Sequence, residues 1–394
     1  MAFAEYPVQS LMYITNRPEL VFTEGRGSWL TDHNGKRYLD FVQGWAVNAL
    51  GHSNEGMIEA LETQARKLLN PSPAFYNEPM LRLSKQLTDN SCFDKVFFAN
   101  SGAEANEGAI KLARKWGKER RGPECYRIVT AEGSFHGRTL GTLAATGQPS
   151  KQETFEPLPA GFTHVPLNDL AALEAAVDEN TCAVMLEPVL GESGVWPCEP
   201  AYLTAVERLC AERDVLLVVD EVQTGIYRTG TAFAHQGYRV RPHIMTLAKS
   251  LANGLPMGAI VAVDDVANTF KPGDHGSTFG GGPVLCVAAL ATLSAHHEER
   301  TAENAVHVGA YLRGQLDALA ARSGGAISDV RSRGLMAAVS LGEPIAQRVA
   351  ADALGQGCVL NPIGDRIIRF LPPLVCGKAE VDTIAGILPD LIGM

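Results

Sequence analysis

From residue 95 onward, short apolar runs alternate with amphipathic stretches, and this alternation constrains the fold more than any other feature. The runs are Val96–Ala99, Ile128–Ala131, Thr163–Pro166, Ala183–Glu187, Leu216–Asp220, Ile244–Leu247 and Ala259–Ala262. Runs of four or five apolar residues are too short for helices and read as strands buried on both faces. Helical patterns fill several gaps, at Ala103–Glu119, Leu170–Val177 and Ala201–Arg213. Strand and helix in turn predict an α/β domain: a mainly parallel, seven-stranded sheet with helices on its faces. Open sheets of this kind bind ligands outside the carboxyl ends of their strands. Two strands end there on reactive groups: Val215–Val219 runs into Asp220 and Glu221, and Ile244–Leu247 stops just before Lys249.

The large domain is expected over residues 56–283. Residues 1–55 form an opening segment expected to pack with the smaller domain, with a hairpin around Asn34-Gly35. Residues 284–394 read as a smaller α+β domain. It has a long helical stretch from Val284 to Ala321, strand-like pieces at 335–341 and 365–371 separated by a helix over Ile345–Leu354, and a closing amphipathic helix.

Composition narrows the function. The formal charge of −10 argues against a general nucleic-acid or anionic-membrane binder, though not against a small anion in a local basic pocket. The eight cysteines form no C-x-x-C pair and no metal-ligand spacing, so no metal is expected, and they read as small buried hydrophobes in a reducing compartment. The first residues lack the pattern of a signal peptide, and no apolar stretch is long enough to span a bilayer. A cytoplasmic protein is expected.

Several stretches carry chemistry. At 97–116 a strand, a tight turn and a helix succeed one another. Ser101 with Glu104 reads as a capping box. Equally, Ser101, Gly102 and Ala103 put free N–H groups at a helix N-terminus, where a phosphate is favoured. Phe135 and Arg138 follow the next strand. They are either a core ring and a surface arginine, or a flat stacking face and a fork donor for a carboxylate. Glu187 ends another strand and Glu192 follows it. Arg369 sits on a strongly apolar strand, so it requires a carboxylate partner, whether structural or functional. Lys249 is either a surface lysine or an amine of depressed pKa able to form a Schiff base. A pyridoxal phosphate site would use all of these together: phosphate at Ser101, ring on Phe135, a carboxylate at the pyridine nitrogen, and the lysine at the aldehyde.

The chain resembles the class III (ω-amino acid) aminotransferases of fold type I, and is most like their acetylornithine-using members. The resemblance runs nearly end to end, through GRGSWLTDHNGKRYLDF, WAVNALGH, NSGAEANEGAIKLARKWG, SFHGRT, EPVLGESGV, DEVQTG, TLAKSLANGLPMGA, GSTFGGGP and IIRFLPPL. It implies a fold type I pyridoxal 5′-phosphate-dependent transferase that moves the δ-amino group of N2-acetyl-L-ornithine to 2-oxoglutarate. The products would be N-acetyl-L-glutamate 5-semialdehyde and L-glutamate. Carried onto this sequence, Lys249 is the Schiff-base lysine and proton shuttle. Asp220 pairs with the pyridine nitrogen, Val222 and Phe135 pack on the two ring faces, and Gln223 bonds the phenolic oxygen. Gly102 and Ala103, beside Ser101, bind the phosphate. Thr278, with Ser277, reaches the site of the neighbouring subunit in a homodimer with shared active sites. Arg138 holds the substrate α-carboxylate. Glu192 covers Arg369 while the ω-amine donor is bound and swings away for glutamate or 2-oxoglutarate.

The sequence departs from the family pattern at Trp45, at Leu190 and Ser193 around Glu192, at Tyr227 and at Gly282. These positions bear on the amine donor, and Trp45 is expected near the substrate mouth. Ornithine, 4-aminobutyrate and succinylornithine remain alternative donors. An aminomutase or decarboxylase on the same cofactor is a second reading, and a non-catalytic protein on this scaffold a third.

Overall fold

The computed structural model describes residues 3–394. Its central sheet has seven strands in the order Lys95–Ala99, Gly258–Ala262, Ile244–Leu247, Leu216–Asp220, Thr181–Leu186, Arg127–Ala131, Phe162–Val165. All are parallel to their neighbours except Gly258–Ala262, which runs antiparallel to both of its partners. The sequence expectation of a mainly parallel seven-stranded sheet therefore holds. Thr181–Leu186, Leu216–Asp220, Ile244–Leu247 and Gly258–Ala262 are buried along their whole length. That is why these strands lack polar alternation.

Helices cover both faces. Gly102–Arg121 lays Ala105, Ala109, Ile110, Leu112, Ala113 and Trp116 into one apolar cluster with strand residues Ile128, Met185 and Val218. On the opposite face, Leu203, Val206 and Leu209 of the helix Pro200–Arg213 pack with Val129, Val184 and Leu217. Alternate residues of one strand thus feed two cores, as the strand's period of two requires.

A second sheet of four antiparallel-paired strands follows in the order Ile327–Ser332, Ala337–Leu341, Ile367–Phe370, Asn361–Ile363. It packs with Thr301–Arg322, Ala346–Gly355 and Lys378–Ile392 around Phe370, Leu316, Ile384 and Val349. The opening segment joins this part of the molecule: Leu39 and Asp40 pair in parallel with Cys358 and Val359. The hairpin turns at Asn34-Gly35 as expected, with Gly35 at φ 82°.

Two local expectations need correcting. The stretch 284–321 is not one helix but two, Pro283–Glu298 and Thr301–Arg322, broken at Arg300, whose φ is 52°. The capping box at Ser101 is shifted. Ser101 Oγ accepts the Glu104 N–H at 3.1 Å, but Glu104 returns its carboxylate to the N–H of Asn100, not of Ser101.

Candidate active site

The two reactive strand ends open into one cavity of about 500 Å³. Its walls include Ser101, Gly102, Ala103, Phe135, Arg138, Glu187, Glu192, Asp220, Val222, Gln223 and Lys249. The structure thus brings together residues as far apart in sequence as Ser101 and Lys249. Val47, from the opening segment, lines the same space. Arg369 lies against it through Glu192.

Asp220 is buried and fixed. Its Oδ2 accepts the Asn106 side-chain amide at 2.7 Å and lies 2.8 Å from His136 Nδ1. Its Oδ1 accepts the backbone N–H of Val222 at 3.0 Å. Asn106 is itself held on both sides, donating to the His136 carbonyl and accepting from Thr246 Oγ1, each at 2.7 Å. These hydrogen bonds fix the carboxylate in one direction. Its neighbour Glu221 faces away: it binds the N–H groups of Ala234 and His235 and the His235 ring.

Lys249 begins a short 3₁₀ turn, Lys249–Ala252, and its own φ is 41°. A non-glycine residue held there costs of order 1–3 kcal/mol and persists only where the surroundings enforce it. Here they do. Ser250 Oγ donates to the carbonyl of Ala46 at 2.8 Å, and Asn253 bonds both Leu50 N–H and Gly51 carbonyl. Burial pushes the Lys249 amine below its ordinary value; Arg369 adds to this and Glu192 opposes it. An amine so placed is available as a nucleophile. No direct Asp220–Lys249 ion pair exists among the described residues; both line the cavity that separates them.

Gly102 starts the twenty-residue helix Gly102–Arg121, with Ser101 as its N-cap. A Cβ at Gly102 would meet a Val222 methyl at 2.8 Å, so only glycine lets the helix end approach that wall. The first N–H groups of a helix have no partner within it. Gly102 and Ala103, at this helix end, line the cavity.

On the other side, Arg369 is buried on its strand and pairs with Glu192 at 2.8 Å. Its guanidinium also donates to Asn361 Oδ1 and the Gly191 carbonyl. The carboxylate partner that the sequence demanded is therefore Glu192. Burial raises the Glu192 carboxyl, but Arg369 and Lys249 outweigh it and hold the group below its ordinary value. Gln223 bridges the pair, donating to Glu192 Oε1 at 3.4 Å and accepting from Arg369 at 3.3 Å. Glu187 is buried beside Asp220. It ties two loops together, accepting the N–H of Phe135 at 2.8 Å and of Gly191 at 3.2 Å. Burial, then the Asp220 charge, push its carboxyl upward.

Ser277 and Thr278 are not in these walls. Ser277 Oγ accepts from Asn100 and from the Gly280 N–H, Thr278 is exposed, and Phe279 is 63% exposed. Trp45 also lies outside the walls. It is part of a left-handed turn, Gln43–Ala46, in which all four φ values are positive. The turn presents Val47 to the cavity and leaves the Trp45 ring 53% exposed. Leu190 is buried in a small two-stranded ribbon with Trp196. Ser193 Oγ is buried without a partner. Tyr227 also has positive φ, at 67°, and packs on the His296 ring at 5.2 Å. Gly282 caps the helix Pro283–Glu298.

Asn106, His136 and Thr246 escaped the sequence reading. Their signal was a polar residue inside an otherwise apolar face, as in IMTL at 244–247. Their purpose lies in partners 84 to 140 residues away.

Comparison with known proteins agrees with this geometry. An acetylornithine aminotransferase of Ralstonia nicotianae is 50% identical over 398 aligned positions, spanning 100% of this chain and 99% of the relative. The solved ornithine aminotransferase of Toxoplasma gondii superposes with a TM-score of 0.94 at 32% identity, covering 98% of this chain and 93% of that one. The acetylornithine aminotransferase of Elizabethkingia anophelis gives 0.88 at 32% identity, covering 99% and 98%. Residues 13–392 match the family described as aminotransferase class-III, and the chain belongs to that family.

Proposed function

We propose that the protein transfers the δ-amino group of N2-acetyl-L-ornithine to 2-oxoglutarate, with pyridoxal 5′-phosphate as cofactor. The products are N-acetyl-L-glutamate 5-semialdehyde and L-glutamate. The observation that carries this reading is the Glu192–Arg369 pair beside Lys249, with Arg138 across the same cavity. A transaminase must take two substrates of different charge in succession, and an exchangeable carboxylate over a fixed arginine provides for both. An aminomutase or decarboxylase has no need of that exchange. The 50% identity to a relative named acetylornithine aminotransferase supports the donor.

Bound pyridoxal phosphate supplies an electron sink for the bond broken at the substrate carbon. The chain's residues divide the remaining work. Lys249 would hold the cofactor's aldehyde carbon and, as a neutral amine that its burial favours, would carry a proton to and from the substrate carbon. Asp220, locked by Asn106 and His136, would present its carboxylate to the ring nitrogen. Val222 and Phe135 would bound the ring faces, and Gln223 would bond the ring's phenolic oxygen; all three line the cavity. Ser101 and the N–H groups of Gly102 and Ala103 take the phosphate at the positive end of the helix. Arg138 holds the donor's α-carboxylate. Glu192 stays on Arg369 for this donor. It leaves when the α-carboxylate of glutamate or 2-oxoglutarate replaces it, so the buried guanidinium is never left without an anion.

The same reading makes the enzyme a homodimer in which Ser277 and Thr278 complete the partner's site. It divides the chain into 1–55, 56–283 and 284–394. Exposed apolar side chains at Leu11, Met12, Tyr13, Ile14, Phe75, Tyr76 and Phe279 support a surface covered by a second copy. Eight free cysteines support a cytoplasmic setting, and no helix among the described residues is long and apolar enough to cross a membrane.

The test is a donor panel against 2-oxoglutarate. The kcat/KM for N2-acetylornithine should exceed those for ornithine and 4-aminobutyrate by about tenfold or more. Equal values would remove acetylornithine as the donor and leave the family assignment intact.

A further inference from the structure

Arg138, which lines the cavity, shares the Phe135 ring with a second cation that is not itself in the cavity walls. Lys151, in the short helix Pro149–Gln152, is half-buried and stands over the same aromatic ring. Its Nζ lies 5.9 Å from the Phe135 ring centroid, and the Arg138 guanidinium carbon lies 5.5 Å from it. Among the described residues, neither cation has an ion-pair partner, and Glu192 is already committed to Arg369. Two positive charges gathered on one ring with no carboxylate between them repel each other. Burial, then the neighbouring Arg138, hold the Lys151 ammonium below its ordinary value, with Glu192 opposing. All three charges therefore share one neighbourhood.

A lysine there for solubility would extend into solvent, the usual position for this side chain. Stacking on Phe135 is a weak attraction and does not account for bringing two cations to one ring. An anion placed there removes the repulsion and gains a charge-assisted contact from each cation. The sequence reading assigned Arg138 and passed over Lys151.

We propose that Lys151 and Arg138 together clamp the carboxylate that a substrate carries at the end away from its reacting carbon. Lys151 is then a specificity-determining residue that favours ω-amine donors with a free carboxylate, and dicarboxylate acceptors, over amines without one. The proposal rests on the aminotransferase reading given above. It adds a second charge to a contact otherwise made by a single arginine.

The test uses holoenzyme carrying Lys151→Met, with the visible band of the bound cofactor as the check on folding and loading. Half-reactions are followed by the change in that band, with N2-acetylornithine and, separately, cadaverine, a diamine without a carboxylate. For acetylornithine the half-saturating concentration should rise about tenfold, the loss of one charge-assisted contact, with the maximal rate within about twofold. The KM for 2-oxoglutarate should rise in parallel. Cadaverine should react as with the unaltered enzyme. Added salt should weaken acetylornithine binding less in the variant than in the parent. Lys151→Arg should restore binding. Unchanged half-saturation for acetylornithine, or an equal loss with cadaverine, would overturn the clamp. If the unaltered holoenzyme converts no amine at all, the aminotransferase reading fails instead, so the two failures are distinct.

Discussion

The two sides of the cavity are built on opposite plans. Around Asp220, the side-chain partners Asn106 and His136 are buried, the hydrogen bonds run from 2.7 to 3.0 Å, and Thr246 holds Asn106 in turn. On the other side Arg369 is equally buried and bonded, but the carboxylate over it and Arg138 are looser. The Glu192 side chain is 26% exposed and meets Arg369 through one oxygen, while Arg138 and Lys151 share the Phe135 ring without an ion-pair partner among the described residues. The first side suits a group that stays for the lifetime of the enzyme and needs one fixed charge. The second suits two substrates that come and go and must displace each other. Rigidity and exchangeability are thus separated in space, and Lys249 lies where they meet.

Four substitutions or conditions would break or sharpen this contrast. Lys249→Ala removes the group common to both sides. Turnover should fall by more than about a thousandfold and the visible cofactor band should vanish, as measured by absorbance and steady-state assay. Asp220→Asn keeps the shape of the fixed side and removes its charge. The loss in kcat should be about a hundredfold or more, with little change in the KM for acetylornithine. A KM effect of similar size would mean that the two sides are not separable. Gly102→Ala tests the phosphate end. Its Cβ would sit 2.8 Å from Val222, so cofactor affinity should fall about tenfold in equilibrium titration while the secondary structure is unchanged.

The smallest effect is on stability against pH, and it probes buried histidines away from the chemistry. Although burial opposes it, the contacts of His235 with Cys92 and Glu221 raise its pKa from 6.5 to about 9. Its contribution should be complete below pH 6.5 and lost as pH rises through about 9. Burial, with Arg228, lowers His296 from 6.5 to about 3, so its folded form must stay neutral. That contribution should be complete above pH 6.5 and lost as pH falls toward about 3. Urea unfolding across pH should show the acid limb flatten in His296→Phe and the alkaline limb flatten in His235→Gln.

Much of this was legible in the sequence, for identifiable reasons. Leu216–Asp220 and Ile244–Leu247 were read with their observed limits because fully buried strands are apolar from end to end. The direction of Gly258–Ala262 was not readable, since GAIVA presents the same buried pattern whichever way it runs. The break at Arg300 was invisible because no glycine or proline marks it. The need of Arg369 for a carboxylate followed from burying a charge, and Glu192 met it. The supports of Asp220 were missed because a lone asparagine or threonine on an apolar face gives no hint of a partner more than a hundred residues away. Lys151 was missed for the converse reason: nothing in the local sequence says that a surface-type residue folds back onto Phe135.

The claim that one side is fixed and the other exchangeable is tested most directly on Glu192→Gln. The variant keeps a hydrogen bond to Arg369 but removes the carboxylate that a substrate must displace. The measurement is the ratio of half-reaction specificity constants for L-glutamate and N2-acetylornithine. That ratio should move toward glutamate by about tenfold or more, because the guanidinium now lacks its resident anion and favours a substrate that brings one. An unchanged ratio, with both donors weakened alike, would mean that Glu192 and Arg369 form a permanent ion pair, and the division of the cavity would fail.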